Sequence, residues 1–252
     1  MTPAPHDPWL IPMGRGGSPS LRLFCLPHAG SGAVQFRFWA NVLGPAIEVV
    51  AIQPPGRESR SHEPMITALE PMLEHLVPRI AAAITGPYAF FGHSMGARLA
   101  YEIARELDRL GHPAPRKLLL SGHGAPGRDR SGRVQLSKLS HDELHAHLRQ
   151  SGETPRELLD DAEFMRRILP LLQADAGVTE SVPPREGPML ACPIRAFGGH
   201  GDTMWIEDDM HAWSELTRGD FRLRMFPGGH LYLVQAQQRM QLLDAIRAEL
   251  HG

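Results

Sequence analysis

Cysteine is nearly missing from this sequence: Cys25 and Cys192 are the only two among 252 residues. With no C-x-x-C pair and no zinc spacing, the chain has neither a disulfide framework nor a cysteine-ligated metal site to offer. Each cysteine lies in an apolar, strand-like run, as expected of a buried thiol in a reducing compartment. Long apolar runs are lacking too, and none approaches the ~18 residues that a membrane-spanning helix requires. The segment MTPAPHDPWLIPMGRGGSPS has neither the basic start nor the apolar centre of a signal peptide. No sign of charge predominates: 26 basic and 28 acidic residues are mixed along the chain, for a formal net charge of -2. That balance gives a polyanion no electrostatic footprint, which argues against nucleic acid as a partner. Internal repeats and low-complexity tracts are absent. These absences lead to the expectation of a soluble, cytoplasmic protein with no membrane partner.

What is present is material for one core. At 42% hydrophobic residues, a chain of this length can bury a single substantial core, and one α/β domain over residues 1–252 is expected. Short β-rich runs alternate with amphipathic ones, the pattern of a mainly parallel sheet with helices on both faces. The strand candidates are residues 21–27, 47–53, 88–93, 117–123, 193–199 and 221–227, a minimum of six. Residues 33–43, 65–84, 95–110, 210–216 and 231–250 carry apolar side chains at helical spacing. The rhythm breaks from about 125 to 188, where only polar, helix-forming stretches occur, among them LSHDELHAHLRQSG and AEFMRRILPLLQAD. An insertion of this kind between two strands either caps a site at the sheet edge or packs as two extra helices on the body.

Gly92-His93-Ser94-Met95-Gly96 fits G-x-S-x-G, with a strand before it and a helix after it, the context this motif requires. A turn this sharp leaves no room for a Cβ at Gly92 or Gly96, and it lifts the Ser94 hydroxyl above the strand end. The next helix aims its N-terminus at the same place, so free amides and the positive end of its dipole face any developing negative charge. A serine alkoxide is out of reach at neutral pH without a base, so this reading demands a histidine and an orienting carboxylate later in the chain. FGGHGDTMW supplies Asp202 at the end of one strand, and FPGGHLYL supplies His230 at the end of the last. Among 14 histidines, only His230 follows the final strand and a Gly-Gly turn. Asp208 and Asp209 are the rival acids, but they sit farther from the strand end, at a helix start where acids favour the dipole. Met95, next to the nucleophile, offers one oxyanion amide. LPHAGSGA, after the first strand, either offers a second at Ala29 or is an ordinary strand-to-helix turn.

Taken in order, LFCLPHAGSGA, QPPGRESR, PYAFFGHSMGARLAYEIARELDRLG, LLLSGHGAP, LLQADAGVTESV and PGGHLYL resemble the type II thioesterases that accompany modular polyketide and nonribosomal peptide synthetases. The resemblance runs from near Trp9 to the last helix. It implies an α/β-hydrolase fold with a helical lid at about 125–188. It also implies hydrolysis of acyl groups from the phosphopantetheine arm of acyl or peptidyl carrier proteins, clearing misprimed or stalled units. Ser94, Asp202 and His230 match the family's triad, and Ala29 and Met95 its oxyanion amides; no cofactor is implied beyond the phosphopantetheine that the substrate carries. Three places depart from the family pattern: Ser31 and Pro54 stand where glycine and leucine are usual, and no proline follows Asp202. Leu144, Leu148, Phe164 and Ile168 of the lid are expected to border the acyl group, and the protein is expected to be a monomer.

Other clusters carry less. HDELHAH sets His141 and His145 one helical turn apart, but Asp142 follows the first histidine and Glu143 is displaced by one. The zinc-protease pattern therefore fails, and a solvated lid helix is expected. The His93 side chain should point away from Ser94, His28 should brace the oxyanion loop, and Arg57 and Arg60 read as surface charges after a Pro-Pro-Gly turn. The competing functions are a generic carboxylesterase, a malonyl-type acyltransferase and a non-catalytic receptor on a hydrolase scaffold. An acyltransferase needs an arginine for the substrate carboxylate, and Arg116 merely precedes a strand.

Overall fold

The computed structural model describes residues 7–14, 19–128, 134–181 and 187–251. Among them seven strands form one sheet: β1 (Leu10–Pro12), β2 (Leu21–Leu26), β3 (Ile47–Ile52), β4 (Tyr88–His93), β5 (Leu118–Ser121), β6 (Ile194–Gly199) and β7 (Phe221–Phe226). Their spatial order is β1-β3-β2-β4-β5-β6-β7. Only β1 runs antiparallel, on β3; every other pair is parallel. The six strands expected from the sequence are all there. β1 is additional, and at three residues it carries no alternation by which a sequence could announce it.

Strands β4, β5 and β6 are buried along their whole length; β4 and β5 read as apolar runs rather than alternating ones, whereas β6 carries Arg195, which pairs with Asp220 and Glu249. On one face Phe24, Leu26, Val50 and Phe90 pack beneath α2 (Leu69–Ala83) and α3 (Met95–Arg109). On the other, Leu23, Cys25, Val49 and Phe91 pack against α1 (Trp39–Leu43) and α8 (Ala236–His251). Both cysteines are free and buried, and burial pushes the Cys192 thiol up to about 12, so neither is a ready nucleophile.

Between β5 and β6 lie α4 (His141–Ser151), α5 (Arg156–Leu159) and α6 (Ala162–Glu180). Residues 129–133 and 182–186 of the expected insertion fall outside the described residues. A capping box between Ser140 and Glu143 starts α4, and Gly152 with φ +69° ends it. The Asp161 carboxylate accepts the first amides of α6. Leu144, Leu159, Met165 and Leu169 form an apolar core of the insertion's own, whereas Val178 near the end of α6 joins the main core. The insertion is thus a small packed unit with one helix rooted in the body.

Candidate active site

Strands β2 and β4 are neighbours, but the chain leaves them toward opposite edges of the sheet, β2 leading to β3 and β4 to β5. The loops after them diverge, opening a crevice at their carboxyl ends. Ser94 follows β4 there at φ +53° and ψ −118°, a conformation that costs on the order of 1–3 kcal/mol for a residue with a Cβ. Its N–H donates to the Ser121 carbonyl at 2.8 Å, which ties the elbow to β5. A Cβ on Gly92 would overlap the Gly96 carbonyl, and one on Gly96 would overlap the Leu26 carbonyl, so both glycines are needed for the close approach.

The loops after β6 and β7 bring the other two groups to the same edge. His230 Nε2 is 2.9 Å from Ser94 Oγ, and His230 Nδ1 is 2.9 Å from Asp202 Oδ2. Because the Asp202 carboxylate only accepts, the imidazole proton belongs on Nδ1, leaving Nε2 free to take the serine proton. Asp202 Oδ1 accepts the Met204 and Trp205 amides at 2.8 and 3.0 Å. These two amides orient the carboxylate without a proline after it. The rival acids are elsewhere: Asp208 is exposed, and Asp209 accepts the Ile206 amide at the start of α7 (Glu207–His211).

Met95 opens α3, where the first amides have no intrahelical acceptor, and Ala29 lies on the loop after β2. Neither N–H has an intramolecular acceptor among the described residues. His28 Nδ1 donates to the Ala29 carbonyl at 2.8 Å, in keeping with a brace on that loop. His93 is wholly buried; its Nδ1 meets Ser121 Oγ at 2.9 Å, and that hydroxyl meets Tyr232 OH at 2.7 Å. Burial first, then the neighbouring His230 and His28, hold His93 well below the ordinary histidine value, so it stays neutral.

Two expectations are corrected. Arg57 is not a surface charge: it is 4% exposed and forks onto Asp175 of α6, with Nη1 to Oδ2 at 2.5 Å and Nη2 to Oδ1 at 2.8 Å. Arg60 is buried as well, paired with Glu63 and stacked 4.1 Å above the Trp9 ring. Nothing local forecast the first pairing, since its partners stand 118 residues apart. The lid residues divide. Leu144 is fully buried in the insertion's own core and presents no surface to a ligand, while Leu148 and Phe164 are partly buried against that core. Ile168 reaches the site: a Cβ on Gly30 would stand 3.0 Å from its Cδ1 and 2.9 Å from Leu172 Cδ2. Leu172 was legible as the next residue on the face of Ile168. Glu153, which accepts the His230 amide at 2.9 Å, carried no sequence signal.

Among the described residues there is no cluster of His, Cys, Asp and Glu suited to a metal ion, and no helix long and apolar enough to cross a membrane. A serine hydroxyl poised on a histidine at the carboxyl edge of a parallel sheet is the arrangement of the α/β-hydrolases. Residues 21–250 match the thioesterase domain family, and the chain belongs to it. It is 36% identical to gramicidin S biosynthesis protein GrsT of Aneurinibacillus migulanus, over 92% of this chain and 90% of that one. It is 34% identical to thioesterase PikA5 of Streptomyces venezuelae, over 89% of this chain and 80% of that one. Among solved structures, the type II thioesterase BorB from the borrelidin biosynthetic cluster superposes with a TM-score of 0.87 at 37% identity, covering 97% of this chain and 98% of the other.

Proposed function

We propose that this chain is an editing thioesterase that frees polyketide or nonribosomal peptide synthetases from misprimed or stalled acyl groups by hydrolysing them from the phosphopantetheine arm of carrier proteins. The observation that carries the hydrolytic chemistry is the chain of two 2.9 Å contacts from Ser94 through His230 to Asp202, and the likeness to GrsT, PikA5 and BorB supports the carrier-bound thioester as substrate. Ser94 Oγ attacks the thioester carbonyl as its proton passes to His230 Nε2, and Asp202 stabilises the resulting imidazolium. The carbonyl oxygen gains the electron pair and is held by the Ala29 and Met95 N–H groups. Collapse expels the pantetheine thiolate, which takes up the proton and leaves an acyl-serine. Water, deprotonated by His230, repeats the attack and releases the free acid. Every step uses groups of this chain and water, so no cofactor enters. Residues 1–252 act as one hydrolase unit with its lid, in the cytoplasm where the synthetases work, and as a monomer.

Intact-mass measurement of acyl-loaded carrier proteins, with and without enzyme, tests this. Wild type should remove the acyl mass and Ser94→Ala should not, with kcat/KM higher on the carrier than on the matching acyl-pantetheine. Equal efficiency on both substrates would favour a generic carboxylesterase. Transfer to an acceptor would make it an acyltransferase, and binding without turnover a receptor.

A further inference from the structure

We propose that two carboxylates of the lid, Asp175 and Glu153, are positioning residues of the reaction centre, one holding the oxyanion loop and the other the loop that carries His230. The proposal rests on the hydrolytic reading above.

Asp175 projects from α6 with no exposure to solvent, and its Oδ2 accepts the Gly30 N–H at 2.7 Å. That N–H belongs to the peptide plane between Ala29 and Gly30. Its other polar group, the Ala29 carbonyl, is held by His28 Nδ1 at 2.8 Å. A peptide is rigid, so pinning both its N–H and its C=O fixes the plane, and with it one side of Ala29, whose own N–H is the oxyanion donor. Gly30 accepts this placement because its φ is +78°, a conformation that a residue with a Cβ rarely adopts, and a Cβ there would also crowd the side-chain ends of Leu172 and Ile168. Arg57 serves the same end. It neutralises the buried carboxylate through two hydrogen bonds, and its Nη1 also donates to the Ser31 carbonyl at 3.3 Å.

Glu153 lies just beyond α4 and accepts two successive amides after β7, His230 N–H at 2.9 Å and Leu231 N–H at 3.3 Å. A Cβ on Gly229 would occupy the place of the Glu153 carboxylate, so the Gly-Gly turn makes room for this contact. Asp202 orients the imidazole from its ring, and Glu153 holds the backbone from which the ring hangs. Both lid carboxylates act through other groups and neither contacts Ser94. The oxyanion donor and the base are therefore registered to each other through the lid, and a lid displaced far enough to break either contact loses part of the catalytic geometry.

The test measures kcat and KM on an acyl-pantetheine for wild type, Glu153→Ala, Glu153→Gln and the double variant Arg57→Met/Asp175→Leu, with Tm alongside. The double variant exchanges a buried ion pair for apolar side chains, a change that proteins often tolerate without loss of stability, while it strips Gly30 N–H of its acceptor. Its kcat should fall on the order of 10²-fold even where its Tm equals that of wild type. Glu153→Ala should lower kcat about tenfold with KM within about twofold. Glu153→Gln, which keeps an oxygen for the His230 amide, should recover most of it. A role confined to stability would return kcat with Tm, so wild-type kcat in folded Glu153→Ala or in the folded double variant overturns the proposal; should the double variant not fold, Glu153→Ala decides. If wild type itself cleaves no thioester, the hydrolytic reading falls and this one with it. If wild type turns over and the variants match it, only this one falls.

Discussion

At neutral pH the Ser94 hydroxyl keeps its proton, and His230 Nε2, 2.9 Å away, is the group placed to accept it. Which nitrogen carries the imidazole proton therefore decides reactivity, and Asp202 decides which nitrogen. In Asp202→Asn, the Met204 and Trp205 amides would hold the side-chain oxygen where Oδ1 now stands. The new NH₂ group would then face His230 Nδ1 and favour the tautomer with its proton on Nε2, which cannot accept from serine. The expected loss is about 10²–10⁴ in kcat/KM on an acyl-pantetheine, by analogy with other triads. Asp208→Asn, on an exposed side chain, should match wild type. The reverse ranking would move the acid. The place of Asp202 at a strand end made it readable from sequence, whereas the two amides that orient it depend on how residues 203–205 fold back.

Among the elements, α6 carries the most. Ile168, Leu172 and Asp175 follow one another at helical spacing and meet the loop after β2 from one face, the first two where a Cβ on Gly30 would stand and the third at its amide. Leu144 of α4 faces the insertion's own core instead. Alanine at Ile168 or Leu172 should change the order of kcat/KM across a series of acyl-pantetheines of increasing length. Leu144→Ala should cost about 2–5 kcal/mol of stability and leave that order intact. A changed order in Leu144→Ala alone would show that the acyl group enters the lid core. The sequence marked this segment as a helix-forming stretch without saying which face meets the body, because even an amphipathic pattern specifies a buried stripe and not the surface that buries it.

For the molecule as a whole, the buried histidines set the response to acid. His93 is held neutral, first by burial and then by His230 and His28, and His28 is lowered chiefly by removal from solvent. The unfolded chain protonates these side chains near pH 6.5, where the native state does not, so stability is full above that value and declines as pH falls below it toward the native pKa values. Tm measured between about pH 7 and 5 should fall, and His93→Asn should show a shallower fall than wild type; identical slopes would remove His93 as the cause. The amino-acid sequence by itself determined six parallel strands, the glycine-flanked elbow at Ser94 and the order of serine, acid and histidine. The strands show as short apolar runs and the elbow and the two later loops as glycine turns at strand ends, each legible within about a dozen residues. Only the tertiary structure decided that Arg57 is buried on Asp175, 118 residues away, and that Glu153 grips the His230 loop from 77 residues away. A charged side chain reads as solvated until its partner is known, and pairings over such distances are chosen by the packing of the insertion against the loops at the sheet edge, not by any local pattern.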